Sequence, residues 1–382
     1  ARQLITFASG VLQGAFDQTQ DVGELMQSVE AELFRISQTN MKGTAQQINP
    51  AIQEAVRMLK EAAAMDGGLS GLTSGFPSLD KMTNGWQNSD LVIIAARPAM
   101  GKTAFVLSMM KKMAIDQKTP VAMFSLEMSS LQLVNRLLVN ATELPGEKIK
   151  TGKLEQYEWE QLNQRARSLY DKPIYLDDTP SLSVFEFNTK ARRLVKDHNV
   201  RCIIIDYLQL MNASGMNYGS REQEVSMISR SLKQMAKELN IPIIALSQLN
   251  RGVEGRSGDD KRPQLADLRE SGAIEQDADM VLFIHRPEYY KITQDAQGNS
   301  LVGLAEIIIA KHRNGATDTV RLRFKSELAK FMNISDDLSG TIESESRMNG
   351  DFVSDSAGEL PAPPPIDAPA DPLAGVGSSL PF

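Results

Sequence analysis

Between the apolar run "DLVIIA" and the helix-like run "TAFVLSMMKKMAI" stands "ARPAMGKT", residues 96–103. Gly, Lys and Thr joined at a turn between strand and helix are suited to holding a chain of phosphates. The backbone N–H groups of residues 98–103 are expected to wrap a β-phosphate, helped by the positive end of the following helix. Lys102 would then bridge the β- and γ-phosphates as a point charge, and the Thr103 hydroxyl would ligate Mg²⁺. The stretch fits G-x-x-x-x-G-K-[ST] with one departure, Ala96 in place of the first Gly. Ala96 is expected to enter a turn that Gly would adopt more freely. Arg97, Pro98, Ala99, Met100 and Gly101 complete the loop.

A phosphate loop needs a second carboxylate for the metal, and "RCIIIDYLQLM" supplies Asp206 at the end of an apolar strand. In a parallel sheet that position faces the crevice beside the loop; the alternative is a helix N-cap. "VAMFSLEM" places Glu127 at the mouth of another strand, where a carboxylate free of metal could polarise an attacking water, or else be a plain turn residue. "IPIIALSQLNR" brings Gln248 to a strand end, and an amide there could sense whether the γ-phosphate is present. Four polar groups at four strand ends point to a nucleoside triphosphatase using ATP and Mg²⁺.

The elements that must carry these groups alternate. Strands are expected at 90–96, 120–127, 173–177, 200–206, 241–248, 279–285, 303–311 and 319–325, with helices near 102–115, 129–139, 184–198 and 221–240. Apolar strands alternating with amphipathic helices predict an α/β fold, a mostly parallel sheet flanked by helices, with late strands added antiparallel at one edge. Residues 2–37 read as two short helices, and "NPAIQEAVRMLKEAAAM" as a third at 49–65, too short to stand alone in water. Beyond 334, Ser, Asp, Pro and Ala dominate, and disorder is expected.

Composition narrows the function further. With 42% hydrophobic and 23% charged residues the chain is that of a water-soluble globular protein. No apolar stretch approaches the ~20 residues of a membrane span, and no secretory leader is visible. A lone Cys202 excludes a disulfide framework and fits a reducing cytoplasm. From Ile334 onward nine acids face one base, Arg347, a net of −8. Set against a total of −7, this leaves residues 1–333 at +1, so bulk charge neither demands nor forbids a polyanion.

Taken together, "ARPAMGKT", "SGFPSLD" (74–80), "SLEMS", "IIIDYLQLM", "REQEVSMISRSLKQMAKELNIPIIALSQLNR", "KRPQLADLRESGAIEQDAD" and "KHRNG" resemble the bacterial replicative helicases of the DnaB family, within the RecA-like fold. The resemblance implies a remnant of a helical N-terminal domain at 1–42, a linker helix at 43–66, an ATPase domain at 67–333 and an acidic tail at 334–382. It implies a homohexameric ring that moves 5′→3′ on single-stranded DNA and unwinds forked duplex. A primase, a helicase loader and other replisome proteins are the implied partners, at the bacterial nucleoid and away from membranes. Each ATP would lie between two subunits, with Lys311 and Arg313 of one completing the site of its neighbour, Arg313 as an arginine finger. Arg269, Glu270 and Gly272, in a Gly- and Arg-rich stretch without aromatics, would line the channel and track the DNA backbone. A recombinase filament and an ATP-gated scaffold are the competing readings. The chain ends "GVGSSLPF", similar to the terminal peptide of single-stranded-DNA-binding proteins; no acid immediately precedes those last residues, and solubilising disorder is the leading role for the tail.

Overall fold

The runs "LVIIAA", "CIIID", "IIALSQ" and "MVLFIH" lack polar alternation, and they form strands buried along nearly their whole length. A computed structural model describes residues 2–336 except 18–21, 24, 27, 30, 31, 34, 35, 37–46, 65–68, 214–218, 257–260, 269–271 and 296. Its nine strands are β1 (Leu91–Ala96), β2 (Val121–Ser125), β3 (Ile174–Asp177), β4 (Cys202–Asp206), β5 (Ile243–Gln248), β6 (Met280–His285), β7 (Leu304–His312), β8 (Thr319–Lys325) and β9 (Lys330–Met332). They form one sheet in the order β3-β2-β4-β5-β1-β6-β7-β8-β9. β1 to β6 run parallel, and β7, β8 and β9 are added antiparallel. The eight expected strands and the antiparallel edge are therefore present.

Strand period 2 divides the core in two. Val92, Ile94 and Ala96 face one cluster, with helix Lys102–Lys111; Leu91, Ile93 and Ala95 face the other, with helices Val184–His198 and Arg221–Leu239. Each face is thus sealed by helices, as a parallel sheet requires. The four expected helices of this domain lie at Lys102–Lys111, Ser130–Thr142, Val184–His198 and Arg221–Leu239. The first runs into a π-helical turn, Lys112–Asp116.

Sequence reading missed β9 and several short helices. β9 is three residues long and follows an irregular turn. Helix Gln156–Ala166 buries Glu158 rather than an apolar stripe, and it is held by a capping box between Glu155 and Glu158. Without an apolar period there was no signal to read. Nearer the start, helix Arg2–Phe16 and helix Ile48–Ala64 appear as expected. On the latter, Ile48, Ile52 and Val56 recur every four residues and remain exposed. Of the tail expected to be disordered, residues 334–336 are helical, and the rest, with its "LPF" end, lies outside the described residues.

Below the first residues of β1 and β6 is a cluster of charges. Lys233 pairs with Asp279 and lies 3.8 Å from Asp90, and its ammonium donates to the Ser89 carbonyl at 2.7 Å. Burial, and secondarily the charge of Asp279, push the Asp90 carboxyl up to about 6, against the pull of Lys233 and Arg313. A carboxyl that holds its proton more tightly in the native state favours folding at low pH, and that contribution is lost as pH rises through about 6. Asp90→Asn should therefore raise the melting temperature relative to the parent at about pH 8 and lose that advantage near pH 5, read by paired thermal melts.

A second prediction concerns Gly101, at φ 95°, where an added Cβ would approach Phe331 of β9 to 3.1 Å. Gly101→Ala should cost about 1–3 kcal/mol for the left-handed conformation alone, read by denaturant unfolding.

Candidate active site

Strand register sets the level of the site. Ala96 pairs with Gln248, Ser125 with Asp206 and Ile205 with Ala245, so β1 and β5 end level, β2 and β4 end level slightly before them, and the loop at 97–101 leaves from the same edge. Ala96 is the last residue of β1 and wholly buried. The strained turn expected there falls instead on Ala99 (φ 64°) and Gly101 (φ 95°). Ala96 is fixed by its ladder partner in extended backbone, where a methyl costs nothing, and the chain turns only three residues later. Pro98 also departs from expectation, since a proline has no N–H to offer a phosphate. The donors left are the amides from Ala99 onward, of which that of Met100 already donates to the Arg97 carbonyl at 3.3 Å. Those of the first turn of helix Lys102–Lys111 have no intrahelical acceptor, and Gly101 offers no side-chain cap.

Within this loop Lys102 is half-buried. Its ammonium donates to the Ser247 carbonyl at 3.2 Å and lies 5.3 Å from the centre of the Tyr207 ring. Burial holds its pKa below the usual lysine range, Arg97 adds to the effect, and Asp206 and Glu127 oppose it. The cation is thus short of negative charge, a shortage that bound phosphate would relieve. Thr103 Oγ1 donates to Asp206 Oδ2 at 2.8 Å. Asp206 is 1% exposed, its carboxyl raised chiefly by burial, and its Oδ1 is buried without a hydrogen-bond partner. An acceptor left open beside a threonine hydroxyl fits a hydrated divalent cation that takes its other ligands from phosphate. Among the described residues no three His, Cys, Asp or Glu side chains cluster as a metal site.

Glu127 lies two residues beyond β2, exposed, and its charge is felt at both Lys102 and Asp206. Gln248 closes β5, and its backbone N–H donates to Gln209 Oε1 at 3.3 Å. Gln209 Nε2 donates to Ser247 Oγ at 2.8 Å, so this residue braces the end of β5 from the end of β4. Sequence reading passed over Gln209, although it stands three residues after Asp206 in "IIIDYLQLM". Arg97 was expected among the nucleotide-binding residues, and its side chain is committed elsewhere. Only 6% exposed, it donates from Nε and Nη2 to Glu254 at 2.9 and 2.6 Å and from Nη1 to the Leu249 carbonyl at 2.9 Å.

Lys311 and Arg313 do not join this crevice. β7 is antiparallel to β6, with Lys311 opposite Val281 and His312 opposite Met280, which in turn pairs with Val92 near the start of β1. Both side chains reach the end of helix Gly272–Asp277. Lys311 donates to the Glu275 carbonyl at 2.5 Å, and Arg313 donates to the Gln276 carbonyl at 2.5 Å and to Asp279 Oδ1 at 3.2 Å. They share a face, as expected, at the opposite end of the sheet from Lys102. Of the three residues expected on DNA, Gly272 opens that helix, and Arg269 and Glu270 lie outside the described residues.

A family model, the DnaB-like helicase C-terminal domain, matches residues 71–333. The chain is 42% identical over 333 residues to the replicative DNA helicase DnaB of Geobacillus stearothermophilus, a match spanning 87% of this chain and 72% of that protein. With the replicative DNA helicase DnaC of Bacillus subtilis the identity is 41% over the same shares. Among solved structures, one described as an ATPase domain matches at 39% identity and a TM-score of 0.69, over 76% of this chain and 100% of that one. A DnaB-like replicative helicase, described with its interactions with primase, matches at 35% identity and a TM-score of 0.67, over 87% of this chain and 76% of that one. Identity of this extent, carried on the same sheet, makes the chain a member of the DnaB family of replicative DNA helicases, enzymes that hydrolyse ATP and act on DNA.

Proposed function

We propose that the chain is one subunit of a homohexameric ring that hydrolyses ATP between subunits and thereby moves 5′→3′ along one DNA strand at a fork. The observation that carries this reading is the position of Lys311 and Arg313. From Leu91 to Ala96 the sheet rises five residues, roughly 16 Å at ~3.3 Å each. Arg313 is hydrogen-bonded below the first of these residues, Lys102 follows the last, and β6 stands between their strands. Arg313 therefore serves a γ-phosphate in a neighbour's site, an arginine finger worth about 10³–10⁵ in rate. The exposed stripe Ile48, Ile52 and Val56 supports self-association as well.

In this reading Lys102 and the amides from Ala99 to Thr103 hold the phosphates. Glu127, exposed at the mouth of β2, accepts the proton of the attacking water. Gln248 feels the γ-phosphate and passes its loss to the loop after β5. Thr103 and Asp206 would hold Mg²⁺, which when bound supplies charge neutralisation across the β- and γ-phosphates. Arg269, Glu270 and Gly272 of each subunit would track a DNA backbone with little sequence preference and strong salt dependence. Residues 1–42, 43–66, 67–333 and 334–382 are read as N-terminal remnant, linker, motor and tail. Primase, a loader and other replisome proteins are the proposed partners, in the bacterial cytoplasm.

Lys102→Ala should abolish turnover, and Arg313→Ala should lower kcat by about 10³-fold or more. Mixing the two should restore part of the hydrolysis, because the Lys102→Ala subunit lends an intact Arg313; absence of recovery would reject action between subunits. Asp206→Asn should raise the Mg²⁺ concentration needed for half-maximal turnover, read by metal titration at saturating ATP.

A further inference from the structure

Asp279 touches no part of the phosphate crevice, yet every hydrogen-bonding group it has is in use at the place where Arg313 begins. Its backbone N–H donates to the Leu91 carbonyl at 2.9 Å, and its carbonyl accepts from the Arg313 N–H at 2.9 Å. Its Oδ2 accepts from the Leu91 N–H at 2.8 Å and from Lys233, and its Oδ1 takes Arg313 Nη1 at 3.2 Å. The carboxylate is 8% exposed, whereas the Arg313 side chain is 46% exposed. One end of the pair is therefore fixed in the core and the other is presented to solvent. The Gln276 carbonyl takes the other guanidinium nitrogen, and Glu275 takes Lys311.

We propose that Asp279 is the positioning residue of the inter-subunit finger, holding Arg313 at one guanidinium nitrogen so that the remaining donors are presented toward the neighbouring subunit's triphosphate. An exposed arginine at a strand end samples many rotamers, and fixing one of them costs entropy each time a phosphate must be met. A carboxylate already immobilised by Lys233 and the Leu91 amide bears that cost in advance, and the bond is charge-assisted. Asp279 acts only through Arg313 and never touches nucleotide. The proposal rests on the reading of Arg313 as a finger acting in a neighbour's site.

The test is steady-state ATP turnover by the full chain. Asp279→Asn should lower kcat by about tenfold, the loss expected for weakening one charge-assisted bond, with KM for ATP nearly unchanged. Mixed with Lys102→Ala subunits, whose Asp279 and Arg313 are intact, Asp279→Asn subunits should regain turnover; mixed with Arg313→Ala subunits they should not. Adding Asp279→Asn to Arg313→Ala should cost nothing further. Should Asp279→Asn prove poorly folded, Asp279→Glu keeps the charge beside Lys233 but shifts the carboxylate by a methylene, and the same pattern is expected. Parental turnover in both variants, no recovery with Lys102→Ala, or an additive loss in the double variant would overturn the proposal. Failure of Arg313→Ala and Lys102→Ala to complement each other would instead remove the finger reading itself, and this proposal with it.

Discussion

The direction of one strand governs which groups of this chain can meet. β7 reverses the sense of the sheet, so a residue at its C-terminal end stands level with the beginning of β1, while the phosphate loop leaves from the end of β1. Had β7 run parallel, Lys311 and Arg313 would have emerged beside Lys102 and could have served their own chain's nucleotide. Because it is antiparallel, Arg313 stands at the opposite end of the sheet from Lys102. On the proposed reading, a hydrolysing unit is then something that two copies make together.

At the other end of the sheet, electrostatics and backbone geometry are arranged to receive an anion. Among the described residues, Lys102 is half-buried with only a carbonyl as its hydrogen-bond partner, Asp206 has a buried acceptor oxygen with no partner, and the first amides of helix Lys102–Lys111 are uncapped. Each is costly alone, since buried polar groups without partners destabilise. On the proposed reading, these costs fall when a triphosphate and its cation enter, which is how a site stores affinity for a ligand. The Phe331 ring leaves little room for a side chain at Gly101, where an added Cβ would lie 3.1 Å from it.

A short helix lies between the two ends of function. Gly272–Asp277 begins next to the residues read as DNA contacts and finishes with the carbonyls that receive Lys311 and Arg313. It is tied down by Ser229, whose hydroxyl donates to Asp277 at 2.5 Å, and by wholly buried Ile274. Gly272 opens this helix, and the carbonyls of Glu275 and Gln276 that receive Lys311 and Arg313 follow within its next turn.

Much of this was legible in the residues themselves. Lys102, Thr103, Asp206, Glu127 and Gln248 were readable because each follows an apolar run, and in a parallel sheet all such runs end at one edge. The strands themselves were equally plain, since "LVIIAA" or "CIIID" has no other way to be buried on two faces. What the order of residues could not supply was anything that depends on which strands become neighbours and how they align. That Ala96 stays extended while Ala99 takes the turn follows from its register with Gln248. That the Arg97 side chain belongs to Glu254, and that Asp279 holds Arg313, follows from the packing of segments far apart in the chain. Local sequence determines which groups a strand delivers to its end. Only tertiary structure decides what each group meets there, because those partners come from elsewhere in the chain and are chosen by pairing and burial rather than by spacing.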